Sequence, residues 1–406
     1  MRFLLADDET RDKLFNKHRE KGKKFHRNSK ELVLSEHIWG IPRRVLIPKN
    51  DSDELREIFI YNRDDSFALK MINDICNQLL GNEFEQNLFS YRDGFSTKDA
   101  VDNLIKNAKG MYGVKIDIKK YFNSVPIEII EEKLKNIFNH EKDYNKMLEF
   151  FKDTRYIDID GKIKNKYLSL KPGNAFSAFF SNYVLDNLDK YANKNFEFYS
   201  RYSDDILIFE RTERKLINSL DKLKEHLSIL NLEINDSKTK FYKPYEIIEY
   251  LGIKTDWNVK DISSNRFNNI KNLIRSECNK TRKLLKNGEI TKDQALEYLV
   301  NWYNNKLFRQ TLTTKQKYSW AVNVFNIITT VETLKEINRY FKSSVRICIT
   351  GKNNKANFKK ISDKDFKSKG YLNLIDMYYL FKKDAQLYND VVSIACSKGV
   401  KRVEFS

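Results

Sequence analysis

At 406 residues, with 74 lysines and arginines against 56 acids and a net charge of +18, the chain can bury a sizeable core and favours a polyanionic partner. Its four cysteines, Cys76, Cys278, Cys348 and Cys396, are far apart and form no C-x-x-C pair, which excludes a zinc module and a disulfide frame. No apolar run approaches the roughly 18 residues that span a bilayer, and Met1–Ala6 followed by Asp7-Asp8-Glu9 is too short and acidic for a secretory signal. A cytoplasmic protein with reduced thiols and no membrane contact is expected.

Residues 1–40 are a basic N-terminal arm, most concentrated over 17–30. It reads either as a solvated tail or as a polycation on RNA backbone. Residues 43–48 and 55–60 read as two strands joined by a polar turn over 49–54, and Arg63-Asp64-Asp65 opens a helix with Phe67, Met71, Ile72, Ile75 and Leu79 on its apolar side. Strand-borne Arg56 and helix-start Arg63 are candidates for gripping a triphosphate. Their bland alternative is surface ion pairs.

Residues 111–118 alternate as a strand that carries an acid, Asp117, near its end. After a turn over 119–125, Pro126 starts a helix that is acidic early, as the macrodipole prefers. Leu170-Lys171-Pro172-Gly173-Asn174 is a turn before a helix predicted over 175–191, whose small residues (Ala175, Ser177, Ala178, Ser181) admit close approach of another backbone.

The chain is organised around Arg201-Tyr202-Ser203-Asp204-Asp205, set between Glu197-Phe198-Tyr199 and Ile206-Leu207-Ile208-Phe209. This reads as a hairpin with two acids at its turn. Ser-Asp-Asp is either an ordinary polar turn open to water or, since folding does not ask for adjacent like charges there, a seat for a divalent cation, which wants carboxylate oxygens beside substrate phosphates. With Asp117, they can form a three-carboxylate cluster for two metals. An amphipathic helix over 215–230 and extended segments at 232–235 and 238–241 follow, and Tyr250-Leu251-Gly252-Ile253 ends the mixed region.

From residue 265 the pattern is helical, and no proline follows Pro244. Phe267, Ile270, Leu273, Ile274 and Leu284 form an apolar side among many lysines and arginines. Thr291-Lys292-Asp293-Gln294 is a capping box. Such basic helices suit duplex-gripping or a solvated face.

The order of these features resembles a reverse transcriptase. It is carried by Asp117 with Phe122, by Gly173 and the small-residue helix to Asn182, and by Tyr202-Ser203-Asp204-Asp205. Phe89-Ser90-Tyr91-Arg92-Asp93-Gly94-Phe95-Ser96 resembles the finger segment of group II intron and retron enzymes. Asn235 to Lys238-Thr239 resembles the motif with a catalytic lysine, and Tyr250-Leu251-Gly252 the primer-grip turn. The family's Gln-Gly in the template turn is here Pro172-Gly173. The retron segments Asn-Ala-x-x-His and Val-Thr-Gly are not in place, because Ile349-Thr350-Gly351 comes too late.

What remains is most similar to the bacterial defence-associated enzymes of the unknown-group and abortive-infection type. The resemblance implies an α+β right-hand polymerase: fingers at 41–110, palm at 111–255 and an α-helical thumb-like region at 256–406. It implies RNA-directed DNA synthesis from dNTPs on a cognate non-coding RNA, by two-metal nucleotidyl transfer, in anti-phage defence.

The implied metals are two Mg²⁺, with Mn²⁺ as a substitute, on Asp117, Asp204, Asp205 and the main-chain carbonyl of Ile118. Lys238 protonates the pyrophosphate, Arg56 and Arg63 hold the triphosphate, Gly173 shapes the template turn, and Phe122 excludes the 2′-hydroxyl. Alternatives are a retron or mobile-intron enzyme, a template-independent or protein-primed polymerase, and a non-enzymatic RNA-binding protein. A homo-oligomer or a partner defence protein remains open.

Overall fold

The computed structural model describes residues 37–397 except 49–54, 139, 314, 315, 352, 353 and 355, so the basic arm before residue 37 and the 49–54 turn lie outside the described residues. The chain divides into two compact units, one ending at Glu246 and one beginning at Ile247. Helices and strands mix in both, as the α+β reading expects.

The strands of the first unit are β1 (Arg43–Pro48), β2 (Leu55–Ile60), β3 (Tyr112–Asp117), β4 (Arg155–Ile157), β5 (Ile163–Asn165), β6 (Phe198–Tyr202), β7 (Asp205–Glu210) and β8 (Lys240–Tyr242). They make two four-stranded sheets, ordered β2-β1-β4-β5 and β6-β7-β3-β8. In the second sheet β7 is central, and Ile206, Leu207, Ile208 and Phe209 are all fully buried. A strand covered on both faces reads as a continuous apolar run, which is why 206–209 shows no alternation. The Glu213–Ile229 helix packs on β7 and β3 and buries Leu216, Leu220, Leu223 and Leu227.

The Arg63–Leu80 helix starts where expected, with Asn62 as N-cap accepting from the Asp65 amide. Of its predicted apolar side Met71, Ile72 and Ile75 are buried and Phe67 packs against the core, Ala68, Leu69, Cys76 and Leu80 widen the buried stripe, and Leu79 is exposed. The predicted 175–191 helix is two, Ala175–Val184 and Asp186–Asn195, with Leu185 at the junction. The break puts Asp189 in the first turn of a new helix, where it is fully buried against Arg201.

Gly173 has φ +118°, and a Cβ there would lie 2.2 Å from the Phe59 carbonyl oxygen. The approach is fixed by the Phe59 N–H, which donates to the Pro172 carbonyl at 2.9 Å. The glycine thus lets the 170–174 turn dock on the backbone of β2. Gly173→Ala is expected to lower unfolding free energy by about 2–3 kcal/mol, measured by urea denaturation; an unchanged midpoint would show the turn free to move away from Phe59.

The second unit opens with an antiparallel sheet of β9 (Ile248–Tyr250), β10 (Ile253–Thr255) and β11 (Lys260–Ile262). Leu251 and Gly252, both at positive φ, make its first hairpin loop. Helices follow, interrupted by a short strand pair, β12 (Thr311–Thr313) and β13 (Gln316–Tyr318). The long Ser264–Lys286 helix packs along Glu332–Thr350, burying Ile270, Ile274 and Leu284. The Thr291 capping box forms with both of its bonds, at 2.8 and 3.2 Å. Cys76, Cys278 and Cys348 are buried free thiols, and no helix among the described residues is long and apolar enough to cross a membrane.

Candidate active site

The antiparallel register of β3 and β7 sets Asp117 directly opposite Asp205. Across the β6–β7 hairpin Tyr202 pairs with Asp205, leaving Ser203 and Asp204 as a two-residue loop. The Ile118 N–H donates to the Asp204 carbonyl at 3.2 Å, extending the ladder past the strand end. On the other side of Asp117, the Asn235 N–H donates to its carbonyl at 2.7 Å and the Lys119 N–H donates to Glu233 at 2.9 Å. Three segments distant in sequence therefore converge at one end of the sheet: 117–119, 203–205 and 233–238.

Two lysines answer the acids. Lys238 Nζ lies 3.1 and 3.2 Å from the Asp117 carboxylate oxygens, and Lys115 Nζ lies 3.4 Å from Asp205. Asn235 Nδ2 approaches Asp117 at 3.4 Å. Burial pushes the Asp204 carboxyl above the ordinary range, and the charges of Asp205 and Asp117 add to it. Burial raises Asp205 as well; Lys115 pulls it back and Asp117 pushes it further up.

Among the described residues no three His, Cys, Asp or Glu side chains are gathered to hold a metal ion. The donor chemistry nevertheless fits a hard divalent cation. The three acids supply only carboxylate oxygen, Asp117 and Asp205 are paired across the ladder, and the burial and acidic neighbours that raise Asp204 are a cost that a cation relieves.

The remaining predicted residues surround this end unevenly. Phe122 is half-buried in the short Tyr121–Ser124 helix just beyond β3, and its carbonyl accepts from the Leu170 N–H at 3.1 Å. That bond ties it to the turn holding Gly173, which in turn rests on Phe59 of β2. Arg56, three residues before Phe59 on β2, is exposed, and so is Arg63 at the first position of its helix. Arg56 and Asp204 both act electrostatically on the Tyr91 hydroxyl, which burial pushes up. Gly173 itself meets the backbone of β2, and close approach explains its identity.

Several residues quoted within the motifs take bonding roles around the acids that the motifs do not state. Arg201 is fully buried on β6, donating to Asp189 through Nε at 2.7 Å and through Nη2, to Asn182, and to the Ser203 carbonyl at 3.0 Å. The Tyr199 hydroxyl also donates to Asp189, at 2.7 Å. The Ser90 hydroxyl accepts from the Ser203 N–H at 2.8 Å, and the Tyr91 hydroxyl is 3.5 Å from that of Ser203. Ser203 has φ +61°, a region that costs an L-residue roughly 1–2 kcal/mol and that glycine usually fills in such loops. One signal was available in the sequence: an arginine inside a buried strand, three residues before the paired acids, has to find a buried partner.

Comparison with known proteins gives the following. The profile of the reverse transcriptase family (RNA-dependent DNA polymerase) matches residues 47–255. No curated protein matches the sequence. Among solved structures, telomerase from Candida albicans, with a TWJ fragment of telomeric RNA, is similar at 12% identity and TM-score 0.44, covering 94% of this chain and 67% of that one. Apo telomerase from Candida tropicalis is similar at 13% identity and TM-score 0.43, covering 90% and 66%. Its form truncated from the C-terminal domain gives 13% and 0.42, covering 55% of each chain. The chain thus spans about half to two thirds of the telomerase chains it resembles.

Proposed function

The chain belongs to the reverse transcriptases, RNA-directed DNA polymerases, and from that premise we propose that it copies a cognate non-coding RNA into DNA from dNTPs, in the cytoplasm, as part of anti-phage defence. The observation that carries the catalytic part is the β3–β7 register, which sets Asp117 against Asp205 beside the Ser203-Asp204 loop. The defence reading is supported by the order of the motifs, the missing retron segments, and the long helical region after the polymerase core. In this reading 41–110 are fingers, 111–255 palm and 256–406 thumb.

Asp117, Asp204 and Asp205, with the Ile118 carbonyl, are the groups that would hold two Mg²⁺, or Mn²⁺ in their place. Bound there, the ions would favour ionisation of the attacking 3′-hydroxyl and neutralise charge on the leaving pyrophosphate. The chain's own part is mainly positioning and charge, as in-line phosphoryl transfer requires. Lys238, exposed and paired with Asp117, presents an ammonium proton to the leaving group. Arg56 and Arg63 supply guanidinium forks for the triphosphate, and Phe122 packs against the sugar.

The deciding experiment is primer extension by the purified chain on RNA, with sequencing of all nucleic acid that copurifies. A discrete RNA with its complementary DNA supports the proposal. Homopolymer DNA would replace it with untemplated addition, and no dNTP incorporation would leave an RNA-binding protein.

The raised carboxyl of Asp205 adds a pH test. Lys115 holds that carboxyl down, so Lys115→Met should raise it further. Incorporation needs the ionised form, so the acid limb of the rate against pH should move to higher pH. A limb that stays in place would remove Lys115 from the charge balance.

A further inference from the structure

Every polar group of Ser203 is engaged from outside its loop. Its N–H donates to Ser90, its carbonyl accepts from Arg201, and its hydroxyl meets that of Tyr91. Arg201 and Ser90 are in turn joined by Asn182. The Asn182 side-chain oxygen accepts from Arg201 Nη1 at 3.3 Å and from the Ser90 hydroxyl at 3.2 Å, while its amide donates to the Ser90 carbonyl at 2.8 Å. The bonds form a closed ring: Ser203 carbonyl, Arg201, Asn182, Ser90, Ser203 N–H. All four residues are buried.

The Ser203 carbonyl belongs to the peptide that leads into Asp204, so the ring fixes the plane from which the Asp204 side chain departs. A glycine at 203 would have met the backbone requirement without any buried charge. Instead a buried arginine is directed at one carbonyl and neutralised by Asp189 behind it. The 87–91 segment is anchored to the same strand: the Phe89 N–H donates to Arg201, and the Arg201 N–H donates to Asn87.

We infer that Arg201 and Ser90 are positioning residues of the polymerase centre, which lock the Ser203–Asp204 peptide and so aim the Asp204 carboxylate at the cation-binding end of the sheet. The inference rests on the function proposed above and adds residues outside its acids, lysine and arginines. Bracing groups behind a metal ligand typically change metal affinity or activity by about 10–100-fold when removed.

The test uses the full chain with Arg201→Lys and Ser90→Ala. Ser90→Ala leaves the buried ion pair intact and keeps a folded protein available if Arg201→Lys does not fold. Two quantities are read, normalised to the folded fraction by circular dichroism: kcat and KM for a dNTP, and Mn²⁺ affinity by electron paramagnetic resonance. The expected result is a fall of about tenfold or more in kcat, with KM for the dNTP within about twofold, and Mn²⁺ binding weakened about tenfold. Wild-type kcat and Mn²⁺ affinity in the folded variants, or losses matching only the unfolded fraction, would overturn the inference. Weakened Mn²⁺ binding in a chain that incorporates no dNTP even as wild type would keep the brace and sink the polymerase reading instead.

Discussion

Asp204→Asn should abolish dNTP incorporation, by at least about 10³-fold, the scale on which loss of one preorganised charge contact in an active site is felt. The substitution keeps the shape of the side chain and removes the anion that a hard cation requires. RNA binding, read by gel shift, should persist, because it draws on the basic surface of the whole chain and not on one acid. Stability should move in the opposite direction to activity. The Asp204 carboxyl is raised on folding by burial and by its two acidic neighbours, so the ionised form is penalised in the folded state. That penalty is full above the folded pKa, shrinks as pH falls through it, and is gone below the unfolded-state value. At neutral pH the Asn variant should therefore melt at a higher temperature than the wild type while being inactive. Residual incorporation near the wild-type rate would remove Asp204 from the metal site. A lower melting temperature would contradict the electrostatic account of the loop.

The same residues show where reading the sequence stops. The acid-tipped hairpin, the strand ending at Asp117 and the Thr291 capping box were legible, because each is written in residues that touch near neighbours in the chain. The Asp117–Asp205 register was not. Either strand could have paired one residue out of step, and only packing of both sheet faces fixes it. The brace behind Ser203 was also hidden, since Arg201, Asn182, Asp189 and Ser90 come from four elements. The break at Leu185, which delivers Asp189, is favoured by a tertiary ion pair and not by any local helix breaker. Strands β4 and β5 escaped for a related reason. They are three residues each, and β4 joins β1 through a single parallel pair, Arg43 with Ile157, too little to leave a periodic trace. At Gly173 the sequence offered a turn glycine, and the structure adds a packing cause: the backbone of Phe59 lies where its side chain would be.

Phe122→Ala should open the centre to ribonucleotides, raising the rNTP-to-dNTP ratio of kcat/KM by about 10²-fold, the upper range that a steric pocket wall provides. The geometry gives the ring a rigid seat. Its neighbour Tyr121 is fully buried, donates its hydroxyl to the Ser181 carbonyl at 2.5 Å, and meets the Phe122 ring edge-on at 5.6 Å. The Phe122 carbonyl is held by Leu170. A side chain on so fixed a backbone cannot drift to accommodate an extra hydroxyl, whereas alanine leaves the space empty. The ring is only half-buried, so its truncation should destabilise the fold by less than the roughly 3–5 kcal/mol of a fully buried phenylalanine. The two roles separate cleanly in single-nucleotide incorporation with matched dATP and ATP. A gate gives ribonucleotide entry with dATP kinetics within a few-fold of wild type. A ring that serves packing alone gives a lower melting temperature with strict dNTP selection retained, and that outcome would move the sugar-discriminating wall to another residue.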